Sequence, residues 1–119
     1  MSPTVLVARL LLIGTSVSIA VLSLLPPEQL PTGVSVSDKL VHAAGYGLLG
    51  ALASASGFRP WAAFLTVLGF GLLLELAQLI SGYRAFEWGD LLADAVGAAL
   101  GIALVTGVHR LLARTGDPG

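Results

Sequence analysis

Four long apolar stretches, separated by short polar segments, make up most of this 119-residue chain. A helix that crosses the hydrocarbon core of a bilayer needs about 20 predominantly apolar residues. The stretches predict helices at about residues 4–25, 38–56, 60–80 and 90–112. We therefore expect an all-α, polytopic membrane protein, in which four transmembrane helices form a bundle with both termini on the same side.

Composition supports lipid as the solvent for this chain. Hydrophobic residues make up 55% and charged residues 11% of the sequence, whereas soluble domains carry roughly 25% charged residues. The length fits a single membrane domain spanning 1–119. A net charge of -1 gives no basic patch for nucleic acid, and the absence of cysteine excludes disulfides and thiolate metal sites.

Turn-forming residues mark the ends of the predicted helices. Pro26 and Pro27 end the first helix because proline cannot continue the hydrogen-bond ladder. Asp38 is a suitable N-cap for the second helix, and Gly57 and Pro60 predict a tight turn before the third. No basic residue precedes the first apolar stretch, so we expect it to be a retained helix rather than a signal peptide.

Small residues recur at helical spacing on two of the predicted helices. Ala43, Gly47 and Ala51 share one face of the second helix, and Gly97 and Gly101 share one face of the fourth. Such faces allow membrane helices to approach closely. Packing within the bundle is the simpler interpretation, and a homo-oligomer through these faces is the alternative.

The charged residues are distributed unevenly between the two sides of the predicted bundle. The side with the termini carries Arg9, Arg59, Arg110 and Arg114 with one acid, Asp117. The opposite side carries Lys39 and Arg84 against Glu28, Asp38, Glu87 and Asp90. Because cytoplasmic loops carry an excess of Lys and Arg, this bias predicts cytoplasmic termini in a multi-pass protein of the cell membrane.

Polar residues from three parts of the chain gather at the side opposite the termini. They lie at the start of the second helix, near the end of the third, and in the last loop and the start of the fourth helix: Asp38, Lys39, His42, Glu75, Gln78, Arg84, Glu87, Asp90 and Asp94. The helix order alone brings these three regions to one face of the membrane. Several of these residues also have a purely structural interpretation: Asp38 and Asp90 suit N-caps, and Lys39 suits a position from which its ammonium group reaches the membrane interface.

Glu75 is the hardest of these residues to explain by capping or solvation. It interrupts an apolar helix, where a charge costs about 2.5–3.5 kcal/mol. The helical rise places it at a depth similar to that of His42 and Asp94, which also lie beyond capping range. We therefore predict Glu75, His42 and Asp94 as candidate catalytic residues, with a purely structural polar lock as the alternative.

The order and spacing of these motifs resemble the VanZ-like family. The resemblance rests on Asp38-Lys39-x-x-His42, Tyr46, Glu75-x-x-Gln78, Gly82-Tyr83-Arg84 and Asp90-Leu91-x-x-Asp94-x-x-Gly97. It implies a polytopic, usually bacterial membrane protein of the cell envelope, in a family whose founding member is associated with low-level teicoplanin resistance. Two departures stand out: many members carry Asn where this chain has Asp94, and Gly82-Tyr83-Arg84 replaces the usual Pro-Gly-Arg.

Three functions fit the polar residues at this stage. The first is binding of an anionic lipid headgroup or lipid-linked envelope precursor, with Lys39 and Arg84 on phosphate and Asp38, Gln78 and Asp90 as further contacts.

The second is an enzyme acting on a lipid phosphate. It would use either a divalent cation or acid–base exchange between Glu75 and His42, and the candidate metal ligands are Asp38, His42, Glu75 and Asp94. The third is a proton or ion relay, which the apolar cytoplasmic half of the bundle disfavours.

Overall fold

The computed structural model describes residues 1–25, 38–82 and 86–115, except for the side chain of Asp38. These residues form four α-helices: α1 (Pro3–Leu24), α2 (Asp38–Ala55), α3 (Pro60–Ser81) and α4 (Trp88–Thr115). The all-helical prediction is confirmed. The expected bounds of the first three helices agree with the structure to within one residue.

The helix ends follow from local chemistry. The Ser2 hydroxyl accepts the Val5 N–H at 3.2 Å at the start of α1. Pro60 occupies the first turn of α3, where its missing N–H costs nothing. Gly57 and Gly82 follow α2 and α3 with φ angles of 99° and 79°, a conformation that favours glycine.

The fourth helix is longer than expected at both ends. It begins at Trp88, and the carbonyl of Glu87 accepts the backbone N–H groups of Asp90 and Leu91 at 3.2 and 3.4 Å. The interpretation of Asp90 as only an N-cap is therefore wrong, because Asp90 already lies within the first turn of α4. Its side chain is buried instead.

Three of the four helices, α1, α3 and α4, are long and apolar enough to cross a membrane. The second helix has 18 residues and begins with Asp38, Lys39 and His42 within its first five positions. These polar residues lower the hydropathy of α2. The described part of the chain therefore has three helices with the character of membrane spans and one shorter helix with a polar end.

Helices α2 and α4 run parallel and form the closest contact of the bundle. A Cβ atom on Gly97 would overlap the carbonyl oxygen of Ala43, and one on Gly101 would overlap that of Gly47. The backbones therefore touch, as close packing of small-residue faces requires. The two small-residue faces predicted from the sequence pack against each other within one chain. A homo-oligomer through them stays an untested prediction.

The first helix packs more loosely than the other three. Ala8 is its one buried residue, and large apolar side chains lie exposed along its length. Among the described residues, two side-chain hydrogen bonds join it to the other helices: Arg9 Nε donates to the Ser56 carbonyl at 3.2 Å, and Gln78 Nε2 donates to the Ser23 carbonyl at 2.9 Å. These bonds fix α1 at opposite ends of the bundle. Its exposed face suits contact with lipid.

Candidate functional site

The polar residues of α2 and α4 meet where both helices begin. Lys39 Nζ donates to Glu87 Oε2 at 2.8 Å and to Asp90 Oδ1 at 2.5 Å. The side chains of Lys39 and Glu87 are about half exposed, whereas that of Asp90 is 4% exposed. Lys39 therefore links an accessible carboxylate to a buried one at the edge of the cluster.

His42 lies one helical turn deeper, between two carboxylates of α4. Its Nδ1 is 2.8 Å from Asp94 Oδ1, and its Nε2 is 3.8 Å from Asp90 Oδ2. With Asp94 ionised, its carboxylate can only accept a hydrogen bond, and the proton of this short contact then lies on Nδ1. In neutral His42, the lone pair of Nε2 then points towards Asp90 and the interior of the cluster.

Glu75 completes this arrangement from α3. The residue is 2% exposed, and a ligand atom of its carboxylate lies within 4.8 Å of those of His42 and Asp90. Its Oε2 accepts the backbone N–H of Glu87 at 3.5 Å, the outer limit for a hydrogen bond. Three ionisable side chains from three helices thus converge on one small volume.

Asp94 lies directly behind His42 and is 1% exposed. Within the described part of the chain its Oδ2 has no hydrogen-bond partner. Gly71 of α3 provides the space for this carboxylate, because a Cβ there would lie 2.8 Å from Asp94 Oδ2 and 3.0 Å from Tyr46 Cε1. Tyr46 in turn stacks parallel to His42, with ring centroids 6.1 Å apart.

Of the remaining predicted site residues, Gln78 is the one whose side chain the structure describes, and it lies elsewhere. Gln78 is buried and uses its amide to bind the Ser23 carbonyl of α1. Asp38 begins α2. Arg84 lies outside the described residues. The structure therefore brings together five of the eight predicted site residues: Lys39, His42, Glu75, Asp90 and Asp94.

The arrangement also differs from the predicted metal ligands. Among the described residues, the group with metal-ligand spacing is His42, Glu75 and Asp90. Asp94, which the sequence placed in that set, instead contacts the other ring nitrogen of His42. Sequence reasoning did not assign Glu87 or Gly71 to the site, since nothing in a loop acid or a helical glycine indicates its contacts.

The charge balance of the described cluster is acidic. Four carboxylates, those of Glu75, Glu87, Asp90 and Asp94, lie around Lys39 and His42. Carboxylates outnumber bases even when His42 is counted as a cation. Because buried like charges repel strongly at low dielectric, the buried interior of this cluster disfavours a bare anion, whereas the ammonium group of Lys39 lies at its exposed edge.

An apolar cleft between α1 and α2 leads to the same cluster. Ile19 and Leu22 line it from α1, and Val41, His42 and Tyr46 line it from α2. Leu22 and Val41 are about half exposed, so the cleft opens at the surface of the bundle. His42 therefore contributes both to the polar cluster and to an apolar groove.

Comparison with known proteins identifies a family. The model of the VanZ/LLP1 family matches residues 5–112, nearly the whole chain. No similar curated protein and no similar solved structure was found. The chain belongs to the VanZ/LLP1 family, and the resemblance seen in its motifs is confirmed.

Proposed function

We propose that this VanZ/LLP1 protein crosses the cell membrane four times, with cytoplasmic termini and the polar cluster at the external face. At 1.5 Å per residue, α2 is about 27 Å long, close to the thickness of the hydrocarbon core. It runs parallel to α4, a helix with the character of a span. Trp61 and Trp88 are largely exposed at opposite ends of the bundle, where aromatic residues anchor helices at the interfaces.

Single cysteines can test this topology because the chain has none of its own. Glu87 lies at the exposed edge of the cluster, and Thr115 ends α4 at the opposite side; both are exposed. In intact cells, a membrane-impermeant maleimide should label Glu87→Cys and leave Thr115→Cys unlabelled until the cells are lysed. Labelling of Thr115→Cys alone in intact cells would show the reverse orientation.

The function that this geometry supports best is binding of a lipid with an anionic phosphate headgroup, such as a lipid-linked envelope precursor. One observation carries the proposal: the polar cluster and the apolar cleft share His42 and lie next to each other. An amphiphile has the same two parts, so its chain would occupy the cleft while its headgroup reached the cluster. Binding of an envelope precursor is also a route to glycopeptide tolerance.

Lys39 is the described residue best suited to contact the headgroup. An ammonium group has three N–H donors, and the carboxylates of Glu87 and Asp90 use two of them. The third is available to a phosphate oxygen at the exposed edge of the cluster. The two acids hold the flexible lysine side chain in place, which lowers the entropic cost of binding. Arg84 stays the predicted second contact.

Native mass spectrometry of protein released from nanodiscs would measure this binding. The probes are a polyprenyl phosphate and phosphatidylglycerol, each compared with a zwitterionic phospholipid. Wild type should retain the anionic lipids preferentially, and Lys39→Ala should reduce that retention roughly 10- to 100-fold, because a hydrogen bond to a charged group contributes about 1.5–3 kcal/mol.

Arg110→Ala is the matched control because it removes a basic side chain from the opposite end of α4. It should leave retention unchanged. Equal retention by wild type and Lys39→Ala, or an equal loss in both variants, would contradict headgroup binding at the cluster. Preference for the polyprenyl phosphate over phosphatidylglycerol would identify a lipid-linked precursor as the ligand.

A second candidate function is hydrolysis or group transfer on such a lipid phosphate. The observation in its favour is the buried pair of His42 and Asp94, with Glu75 nearby, since an oriented imidazole is the most common general base. Glu75→Gln keeps the size of the side chain and removes its charge. If the protein is an enzyme, this variant should retain lipid and lose release of inorganic phosphate from the polyprenyl phosphate.

A further inference from the structure

We propose that His42, Glu75 and Asp90 bind one divalent cation, and that Asp94 orients His42 as a ligand. This inference goes beyond lipid binding and does not depend on it, because the ligands all come from the chain itself. The three residues belong to α2, α3 and α4, so the ion would join the three helices at one point.

The spacing of the donor atoms suits such an ion. Metal bonds to nitrogen and oxygen are about 2.0–2.2 Å long, so neighbouring ligand atoms of one site lie roughly 3–4 Å apart. His42 Nε2 and Asp90 Oδ2 are 3.8 Å apart, and the three candidate ligand atoms all lie within 4.8 Å of one another. A contraction of about 1 Å or less would bring the set to bonding geometry.

The surrounding contacts orient two of the three ligands. Asp94 Oδ1 binds Nδ1 of His42, as carboxylates commonly do behind a metal-bound histidine, and this directs Nε2 into the cluster. Lys39 binds Oδ1 of Asp90 and leaves Oδ2 on the side of His42. Asp94 and Lys39 therefore hold His42 and Asp90 in the positions from which they would coordinate the ion.

Glu75 provides a second, independent indication of a cation. Its carboxylate is buried, and within the described part of the chain its hydrogen bond is the long one from the Glu87 N–H. A buried carboxylate with so little compensation is costly. Capping does not explain this residue, since it lies deep in α3, and a bound cation would supply the missing partner.

The donor set also indicates which ions to expect. One imidazole and two carboxylates suit Zn²⁺ or Mn²⁺, whereas Mg²⁺ and Ca²⁺ prefer sites made of oxygen alone. Three protein ligands leave at least one coordination position open. If the lipid proposal also holds, a headgroup phosphate oxygen could occupy that position and the ion would offset the acidic charge around it.

The test uses full-length protein purified in detergent, stripped with a chelator and dialysed against Zn²⁺ or Mn²⁺ alone. Elemental analysis should find about one ion per chain in wild type. His42→Ala and Glu75→Gln should abolish this binding. Asp94→Asn should weaken the affinity roughly 10- to 100-fold, as is usual when the residue behind a metal-bound histidine is changed.

His109→Ala is the matched control, because His109 is an exposed histidine at the opposite end of the bundle. It should bind the ion as wild type does. Far-UV circular dichroism and gel filtration of every variant would show whether lost binding reflects lost folding, and Asp94→Asn, which keeps a hydrogen-bonding side chain, is the variant expected to fold normally.

Two results would overturn the cation site: wild type that binds neither ion, or folded His42→Ala that binds as tightly as wild type. The lipid proposal would survive either result. Conversely, metal binding in detergent without any preference for anionic lipid in nanodiscs would keep the cation site and remove the lipid proposal. The two failures are therefore distinguishable.

Discussion

Helices α2 and α4 contact each other in two different ways along their shared length. Where they begin, charged side chains join them: Lys39 with Asp90, and His42 with Asp94. One turn further, the backbones themselves touch, with Gly97 and Gly101 packed against carbonyl groups of α2. The first region is held by side chains around a small polar volume, and the second has no space for a guest.

The difference indicates a division of roles along one interface. Contact between backbones fixes the register of two helices closely, because neither side can shift without overlap. That register then decides which acid lies opposite His42 and which lies opposite Lys39. The glycine region therefore positions the polar region, and the polar region carries the features that suit a ligand.

A large side chain in the glycine region should have the greatest effect on the fold. We expect Gly101→Leu to destabilise the protein by about 3 kcal/mol or more, because the new side chain meets backbone that cannot move aside. Thermal unfolding in detergent would measure this. Gly107→Leu is the control on the same helix, since a Cβ there meets nothing within 4 Å. Equal loss in both variants would mean that the contact does not control the fold.

Replacing a carboxylate of the polar region by an apolar side chain should instead increase the stability of the folded protein. We expect Glu75→Leu to stabilise the folded protein by about 1–3 kcal/mol, because a buried, poorly compensated carboxylate is exchanged for an apolar side chain. The same variant should lose any cation. Gln78→Leu, on the same helix, should instead destabilise slightly, since it removes the hydrogen bond to Ser23.

Chemical unfolding of both leucine variants beside wild type would separate two interpretations of the polar cluster. A gain in stability at Glu75 would show that the chain keeps this residue for a purpose other than folding. If Glu75→Leu instead unfolds as readily as Gly101→Leu, the cluster is a structural lock and the contrast between the two regions disappears.

The smallest expected effect lies behind the cluster, at Gly71. A Cβ there would crowd Asp94 and Tyr46, but both contacts are side chains that can move by a few tenths of an ångström. We expect Gly71→Ala to be about 1 kcal/mol less stable than Gly69→Ala, whose Cβ meets nothing within 4 Å. A Cβ at Gly71 that displaces Asp94 should also weaken Zn²⁺ binding, because Asp94 orients His42. The Zn²⁺ affinity of Gly71→Ala, measured by equilibrium dialysis, would therefore test this role of Asp94.

The fold was largely predictable because apolar length and turn residues determine helices in a membrane chain. The start of α4 was not predictable, because aspartate is a preferred N-cap residue and Asp90 was therefore expected at the N-cap, whereas Glu87 precedes the helix. Length alone predicts four spans; α2 is less apolar than the other three helices, so its crossing of the membrane stays a prediction.

The candidate site was predictable in its location and less so in its contacts. Helix order places the three polar regions at one end of the bundle, which required no knowledge of side-chain direction. The sequence predicted Asp94 as a metal ligand, whereas Asp90 has the ligand spacing in the structure. This difference was not predictable, because residues four apart differ by about 40° around a helix and the rotation of α4 is not encoded locally. The partners of Lys39 lie 48 and 51 residues away in sequence, beyond any local pattern.

The loose attachment of α1 bears on how this sequence can change over time. A helix with one buried residue, held by the hydrogen bonds at Arg9 and Ser23, places few restrictions on the shape of its other side chains. Most of its positions should accept any aliphatic residue, whereas α2, α3 and α4 are constrained together by glycine contacts and shared charges. Random mutagenesis with selection for folded protein should therefore leave α1 the most divergent helix, recognisable by length and apolarity alone.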